Sequence, residues 1–245
     1  MKLTEMTWYE VQDYLRRSKG ILLPVGSTEQ HGPIGLIGTD AFCADLIATK
    51  AGELAKALVA PVLGYTPAPF NMEFPGTMSI SADLFERVAA ELLQGLSGQG
   101  FERIYLLNGH GANLEPLRAA MAGLPQGAVR LRSWWDFEPV NALRRKYYGD
   151  WEGMHATPSE VAITQATHRT IEPGIASAPP RKLTAEFIKV HAGDKHGPAA
   201  QHRAEFPDGR VGSHSALARP EHGEALLAAA VSEICQDYDA FVQQG

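Results

Sequence analysis

The sequence predicts an α/β fold, a three-layer α/β/α sandwich around a mostly parallel sheet. Short apolar runs of strand length alternate along the chain with segments of helical periodicity, the order expected of strands joined by crossover helices. The clearest strand-like runs are apolar throughout, as in strands covered on both faces. The chain has 245 residues, 44% apolar and 20% charged. That length and composition suit one folded domain with a sizeable core.

Taken in order, Ile21 to Val25 is a buried strand that ends at Gly26. Asp40 to Leu58 places Phe42, Leu46, Ile47 and Leu54 at helical spacing, and Leu58 to Leu63 is strand-like. Ser81 is placed to cap a helix running to about Leu96, with Leu84, Phe85, Val88, Leu92 and Leu93 on one face. Ile104 to Leu107 is a compact strand, Asn113 to Met121 is helical, and Val129 to Trp135 is a strand. Ser159 to Thr167 is a short helix, and Glu221 to Phe241 is the last one. The Pro-containing stretch 171–181 and the Gly-, Pro- and His-rich stretch 192–212 predict loops. No long linker and no internal repeat divides the chain, so a single domain over 1–245 is expected.

Charge and composition exclude several functions. Lys and Arg number 22 against 28 Asp and Glu, a net charge of −6. Without a basic block, nucleic acid is not an expected partner. No cationic amphipathic helix and no run of about 18 apolar residues points to a membrane. Cys43 and Cys235 fall in helical segments and are expected to be buried free thiols. The N-terminal MKLTEMTWYE has no signal-peptide character, so the cytoplasm is the expected compartment.

Ligand-type side chains gather in three loops. In a parallel sheet, the loops leaving the carboxyl ends of the strands converge along one edge, where ligands bind. The first, after Ile21 to Val25, is Gly26-Ser27-Thr28-Glu29-Gln30-His31-Gly32-Pro33, continuing to Gly38-Thr39-Asp40. Glu29 and His31, two apart, point to the same side of an extended segment. Carboxylate and imidazole together suit zinc, manganese or iron, though Asp40 is equally placed to cap a helix. The second is Asn108-Gly109-His110-Gly111-Ala112-Asn113, in which glycines let the backbone approach a ligand closely. The third runs from Trp151 to Glu160. There Thr157 and Pro158 mark a helix start, Glu160 has an ordinary alternative in a capping box, and His155 has no comparable structural role. Such a mixture would suit a two-metal centre, since carboxylates neutralise the ions and imidazoles leave positions open for water and substrate.

Together these loops resemble the creatininase family of metal-dependent amidohydrolases. The resemblance runs through Leu23 to Pro33 with Gly38-Thr39-Asp40, Asn108 to Asn113, and His155-Ala156 with Glu160. It extends to Phe74-Pro75-Gly76-Thr77-Met78-Ser79, a stretch that lies beside the active site in the family. Asp208 to Ser213 and Glu221-His222-Gly223-Glu224 are similar to the family's C-terminal pattern. What the resemblance implies is a creatininase-like layered α/β/α fold, two divalent ions (zinc and/or manganese, or iron), and a homo-oligomer, often of six subunits. It makes Glu29, His31, Asp40, His110 and Glu160 metal ligands, with Asp40 bridging, and His155 the proton-shuttling residue. Trp151, Glu152 and Ser79 become substrate contacts. The substrate is a small-molecule amide, cyclic, formamide or linear, attacked by a hydroxide held between the metals.

The chain departs from creatinine-hydrolysing members at Gly111 and Ala112, where an aromatic and an acid are usual. Val161-Ala162 replace the more common Thr-Ser, and Phe70 and Asn71 stand where many relatives carry histidines. A substrate pocket unlike that of creatininase follows. The alternative considered is a non-catalytic nucleotide or sugar-phosphate binder, suggested by Gly32, Gly35 and Gly38 ahead of a helix. The spacing matches neither G-x-G-x-x-G nor a P-loop. A serine hydrolase would need a G-x-S-x-G elbow, which the chain lacks.

Overall fold

A computed structural model describes residues 1–243. Its sheet has four parallel strands, β1 (Gly20–Val25), β2 (Leu58–Val59), β3 (Arg103–Asn108) and β4 (Val129–Ser133), in the order β2-β1-β3-β4. Alternation of side chains across the sheet divides the interior in two. Ile21, Leu23, Val25, Ile104 and Leu106 face one core, while Leu22, Tyr105 and Leu107 face the other.

Helices cover both faces. On the first lie α1 (Trp8–Leu15), with Tyr14 buried, α3 (Ala82–Gly98), with Phe85 and Leu93, and α4 (Leu114–Met121), with Leu117. On the second lie α2 (Thr39–Leu54), with Ile47, α5 (Glu138–Tyr148), with Val140, α6 (Pro158–Thr167), with Ile163, and α9 (Pro220–Val242), with Leu226. Two short helices, α7 (Ala185–Val190) and α8 (Ala199–Glu205), lie in the segment before α9. This is the three-layer α/β/α arrangement expected from the sequence. Each fully buried Leu or Ile of these cores contributes about 1.5–3 kcal/mol relative to exposure. Among the described residues, no helix is long and apolar enough to cross a membrane.

Several elements differ from the sequence expectation. The run 58–63 is a strand only over Leu58–Val59, with Pro61 just beyond it. Pairing resumes beyond it, where Leu63 N donates to Pro24 O at 3.0 Å and Gly26 N to Leu63 O at 3.0 Å. The second helix stops at Leu54, and Lys56 turns the chain at φ 53°. Helix α1 begins at an unforeseen capping box of Thr7 and Glu10. The stretch 192–212 is not wholly irregular, since it contains α8. Cys43 is buried, whereas Cys235 is partly exposed.

The register brings the functional loops together. Val25 lies opposite Asn108, and Asn108 opposite Ser133, so the chain leaves β1, β3 and β4 at one level. The first turn of α2 crosses these strand ends at two glycines. A Cβ on Gly26 would lie 2.3 Å from Ala41 Cα, and one on Gly109 would lie 2.6 Å from the Asp40 carbonyl oxygen. Both contacts are backbone, which has little freedom to give way. We expect Gly26→Ala to destabilise the protein by about 1–3 kcal/mol in urea unfolding. Gly98→Ala, which meets nothing within 4 Å in α3, is expected to be neutral or stabilising. Equal midpoints for the two variants would refute the close seating of α2.

Candidate metal centre

The segment after β1 is folded around His31. Glu29 N donates to Ile37 O at 2.8 Å, and Gly35 N donates to His31 O at 3.1 Å. A Cβ on Gly35 would stand 2.2 Å from that same carbonyl oxygen, so the glycine-rich run closes onto His31 instead of opening as a phosphate cradle. Asp40 sits in the first turn of α2, where the helix dipole favours an anion. Its side chain makes no cap and points into the site. After β3, the Asn108 amide donates to His110 O at 2.8 Å, and Asn113 Nδ2 donates to Gly26 O at 2.8 Å, fixing the second loop against the first.

Backbone carbonyls set the two imidazoles. His31 Nδ1 lies 3.1 Å from Glu29 O, and His110 Nε2 lies 2.8 Å from Pro67 O. A carbonyl only accepts, so these ring nitrogens carry hydrogen and the opposite ones face the centre. His31 Nε2 is 2.9 Å from Asp40 Oδ1. His110 Nδ1 is 3.2 Å from Asp40 Oδ2 and 3.0 Å from Glu29 Oε1. The two oxygens of Asp40 thus address two different histidines. Glu29 Oε1 and Asp40 Oδ2 are both buried without a hydrogen bond, despite lying so close to His110. Proximity without donor alignment is the arrangement left when a cation belongs between the atoms.

The third loop adds His155 and Glu160. His155 is pinned by backbone pairing with Val211, and its Nε2 donates to Gln30 O at 2.7 Å. Nδ1 is then the bare nitrogen, 3.8 Å from Glu29 Oε1. Glu160 forms the capping box of α6: Thr157 N donates to its Oε1 at 2.5 Å, and Glu160 N donates to Thr157 Oγ1 at 3.3 Å. The same Oε1 stands 3.7 Å from His31 Nε2, so capping and facing the centre coexist in one side chain.

Two donor groups result, Glu29–Asp40–His110 and His31–Asp40–Glu160, each with its ligand atoms within 4.8 Å of one another. They share Asp40. A third group, Glu29–His31–His155, overlaps both. Burial raises the Asp40 carboxyl, but His31 and His110 outweigh it and hold it well below the usual range. Burial lowers His31, while Asp40 and then Glu160 and Glu29 hold it up at about 10. His110 is likewise raised against burial, chiefly by Glu29. Burial lifts Glu160 to about 8 and depresses His155 to about 3, leaving His155 neutral.

A cavity of about 190 Å³ opens onto Asp40, His110, His155 and Glu160, with Leu114, Trp134, Trp135 and Met154 as apolar walls and Arg144 beside them. All five proposed ligands and His155 therefore come together. Trp151, Glu152 and Ser79 do not line this cavity. Trp151 packs on His214 and under Lys182, Ser79 Oγ accepts from Ala68 N, and Glu152 holds Arg144. Sequence reasoning missed Asn71, whose Nδ2 donates to Glu29 Oε2 at 2.8 Å. It also missed Asp194, whose Oδ2 is 3.8 Å from His110 Nδ1 and would be 2.2 Å from a Cβ at Gly111. The departures at Phe70-Asn71 and at Gly111 were the available signals for both.

The model of the creatininase family, described as creatinine amidohydrolase, matches residues 4–238. This chain belongs to the creatininase family. It is an enzyme of the amidohydrolase class that the family describes. The creatinine amidohydrolase of Pseudomonas putida is 26% identical over 183 residues, 67% of this chain and 70% of that protein. The mycofactocin precursor peptide peptidase of Mycolicibacterium smegmatis is 39% identical over 108 residues, 42% of this chain and 43% of that protein. The match thus spans less than half of the peptidase. A solved creatininase superposes with a TM-score of 0.79 at 22% identity, covering 98% of this chain and 97% of the other. A manganese form of creatininase gives 0.77 at 23% identity and a Zn–Zn variant gives 0.78 at 23%, each over 98% of both chains. At these identities the superpositions establish the fold of this creatininase-family chain.

The buried charges make stability depend on pH in the metal-free protein. His31 binds a proton in the folded state up to about 10, whereas an unfolded histidine loses it near 6.5. Its contribution is complete below 6.5 and fades as pH rises toward 10. Glu160, raised to about 8, has the same sign between about 4.5 and 8. We expect the melting temperature of chelator-treated protein to fall steadily from pH 6.5 to 9.5. A flat or rising profile would contradict the protonated His31–Asp40 pair.

Proposed function

We propose that this chain is a metal-dependent amidohydrolase that cleaves the C–N bond of a small amide at a dinuclear centre. Glu29, His31, Asp40, His110 and Glu160 are the proposed ligands, with Asp40 shared between the ions. The observation that carries this is the pair of buried, unpartnered oxygens, Glu29 Oε1 and Asp40 Oδ2, both beside His110 Nδ1, the ring nitrogen opposite the one bonded to Pro67 O. Three carboxylates and two imidazoles suit two divalent ions, zinc and/or manganese, with iron as a further choice. The manganese and Zn–Zn forms of solved creatininases support that choice. A single domain over 1–245, a cytoplasmic home and a homo-oligomer of six belong to the same proposal. The family match over 4–238 and the resemblance in the motifs support them.

When bound, the ions supply Lewis acidity toward an amide carbonyl and lower the pKa of water. The chain's residues do the rest. Trp134, Trp135, Leu114 and Met154 exclude water from the amide and hold it over Asp40 and His110. His155 is neutral, its Nε2–H is committed to Gln30 O, and Nδ1 carries the lone pair. It can take a proton at Nδ1 and return it to the departing nitrogen. Gln30 O keeps that ring oriented, and Asn71 Nδ2, 3.3 Å from His155 Nε2, donates to Glu29.

Elemental analysis of purified protein is expected to find two metal equivalents per chain. His110→Ala and Asp40→Ala are expected to lose metal, and full occupancy in both would remove them from the ligand set. His155→Ala is expected to keep its metal and lose roughly 10²- to 10⁴-fold in kcat on a hydrolysed amide. Near-normal kcat in that variant would refute the proton-transfer role. The readout is ammonia or amine release from a panel of lactams, formamides and linear amides.

A further inference from the structure

Among the described residues, Arg144 is the one Arg or Lys lining the cavity above the candidate metal centre. It projects from α5 and its side chain is four-fifths buried, at 20% exposure. The guanidinium is firmly held. Nε donates to Glu152 Oε1 at 2.9 Å, and Nη1 donates to Asn141 Oδ1 at 2.7 Å. Glu152 Oε1 is itself held by the Ser159 hydroxyl, at the start of α6. The guanidinium carbon lies 5.9 Å from the centre of the Trp134 ring.

What this pair leaves undone is the informative part. Arg and a carboxylate satisfy each other best through two parallel N–H···O bonds. Here the pair is single. Glu152 Oε2 is buried with no hydrogen bond, and Arg144 Nη2 has no partner among the described residues. An ion pair serving only to tie α5 to the turn at Glu152 would close both ends. Instead Nε and Nη1 are taken, Nη2 is left open, and Arg144 lines the cavity. A partly exposed guanidinium that lines a cavity with Nη2 open can donate to an acceptor bound there. Glu160 and Asp194 also line the cavity, and their carboxylates disfavour a second negative charge there. One planar, singly charged group fits these conditions.

We infer that Arg144 anchors a carboxylate on the substrate, so that the amide cleaved here belongs to a small carboxylic acid. This rests on the proposed amidohydrolase site for the amide end of the molecule, and on Arg144 alone for the acid end. Glu152, expected from sequence to touch substrate, acts by aiming Arg144.

The test uses metal-loaded protein and a matched pair of compounds, succinamate (one amide, one carboxylate) and succinamide (two amides, neutral). Binding is read by the intrinsic fluorescence of Trp134 and Trp135, with no turnover required. Metal content is measured on the same sample. Wild-type protein is expected to bind succinamate about tenfold or more tightly than succinamide, the worth of a charge-assisted hydrogen bond. Arg144→Gln is expected to bring the two affinities together, and Arg144→Lys to restore part of the difference. Circular dichroism checks that both variants are folded, and the wild-type comparison stands without them. Equal affinities in the wild type, no succinamate binding at millimolar concentration, or a preference that survives Arg144→Gln would each overturn the inference. Preference for succinamate without bound metal would keep Arg144 and refute the dinuclear centre. Bound metal with hydrolysis of neutral amides and no such preference would do the reverse.

Discussion

The structure turns on Asp40, a buried carboxylate whose two oxygens address imidazoles from two different loops. Burying an ion unpaired is prohibitive in an apolar interior, so each charge here must find a counter-charge. Asp40 finds two, His31 and His110, and each of those is oriented by a backbone carbonyl on its far side. This fixes the relative positions of the loop after β1, the loop after β3 and the first turn of α2. The glycines at 26 and 109 exist for the same reason, because a side chain at either would push α2 off the strand ends. Removing the imidazoles would leave Asp40 with nothing to offset its desolvation.

A family fold does not determine a family pocket. The ligand-type residues of this chain meet in one buried cluster, and the residues around the cavity set its shape. Phe70 and Asn71 occupy the wall near Glu29 and His155, with Phe70 packed edge-on to His155 and Asn71 bonded to Glu29. Gly111 admits Asp194 into space that a side chain would fill. Arg144 contributes a positive edge to an otherwise apolar wall. Chemistry held in common and a recognition surface of its own are therefore compatible in one chain.

The layered fold was legible because its signals are local. The apolar runs of β1 and β3 and the amphipathic face of α3 state their structure within a few residues. The candidate residues were legible for different reasons: Glu29, His31 and His110 follow strand ends in short, distinctive loops, whereas Asp40 and Glu160 open helices α2 and α6. Elements that depend on distant packing were not. Helix α5 fully buries only Val140 and Tyr148, with Leu143 and Tyr147 at the edge of the core, and it is dominated by the charged residues Glu138, Arg144, Arg145 and Lys146. Asn71 meets Glu29 across 42 positions of chain, and Asp194 reaches His110 from a segment that composition marks only as a loop. The substrate contacts at Trp151 and Glu152 are implied by the resemblance alone, and neither side chain lines the cavity.

Glu160 closes the N-terminus of α6 and faces the centre with the same oxygen. Its carboxylate is therefore immobilised by helix formation itself, before any ion arrives. Such preorganisation removes most of the rotamer entropy that a free glutamate would surrender on coordination. The shape of this donor group is thereby coupled to the folding of one short helix.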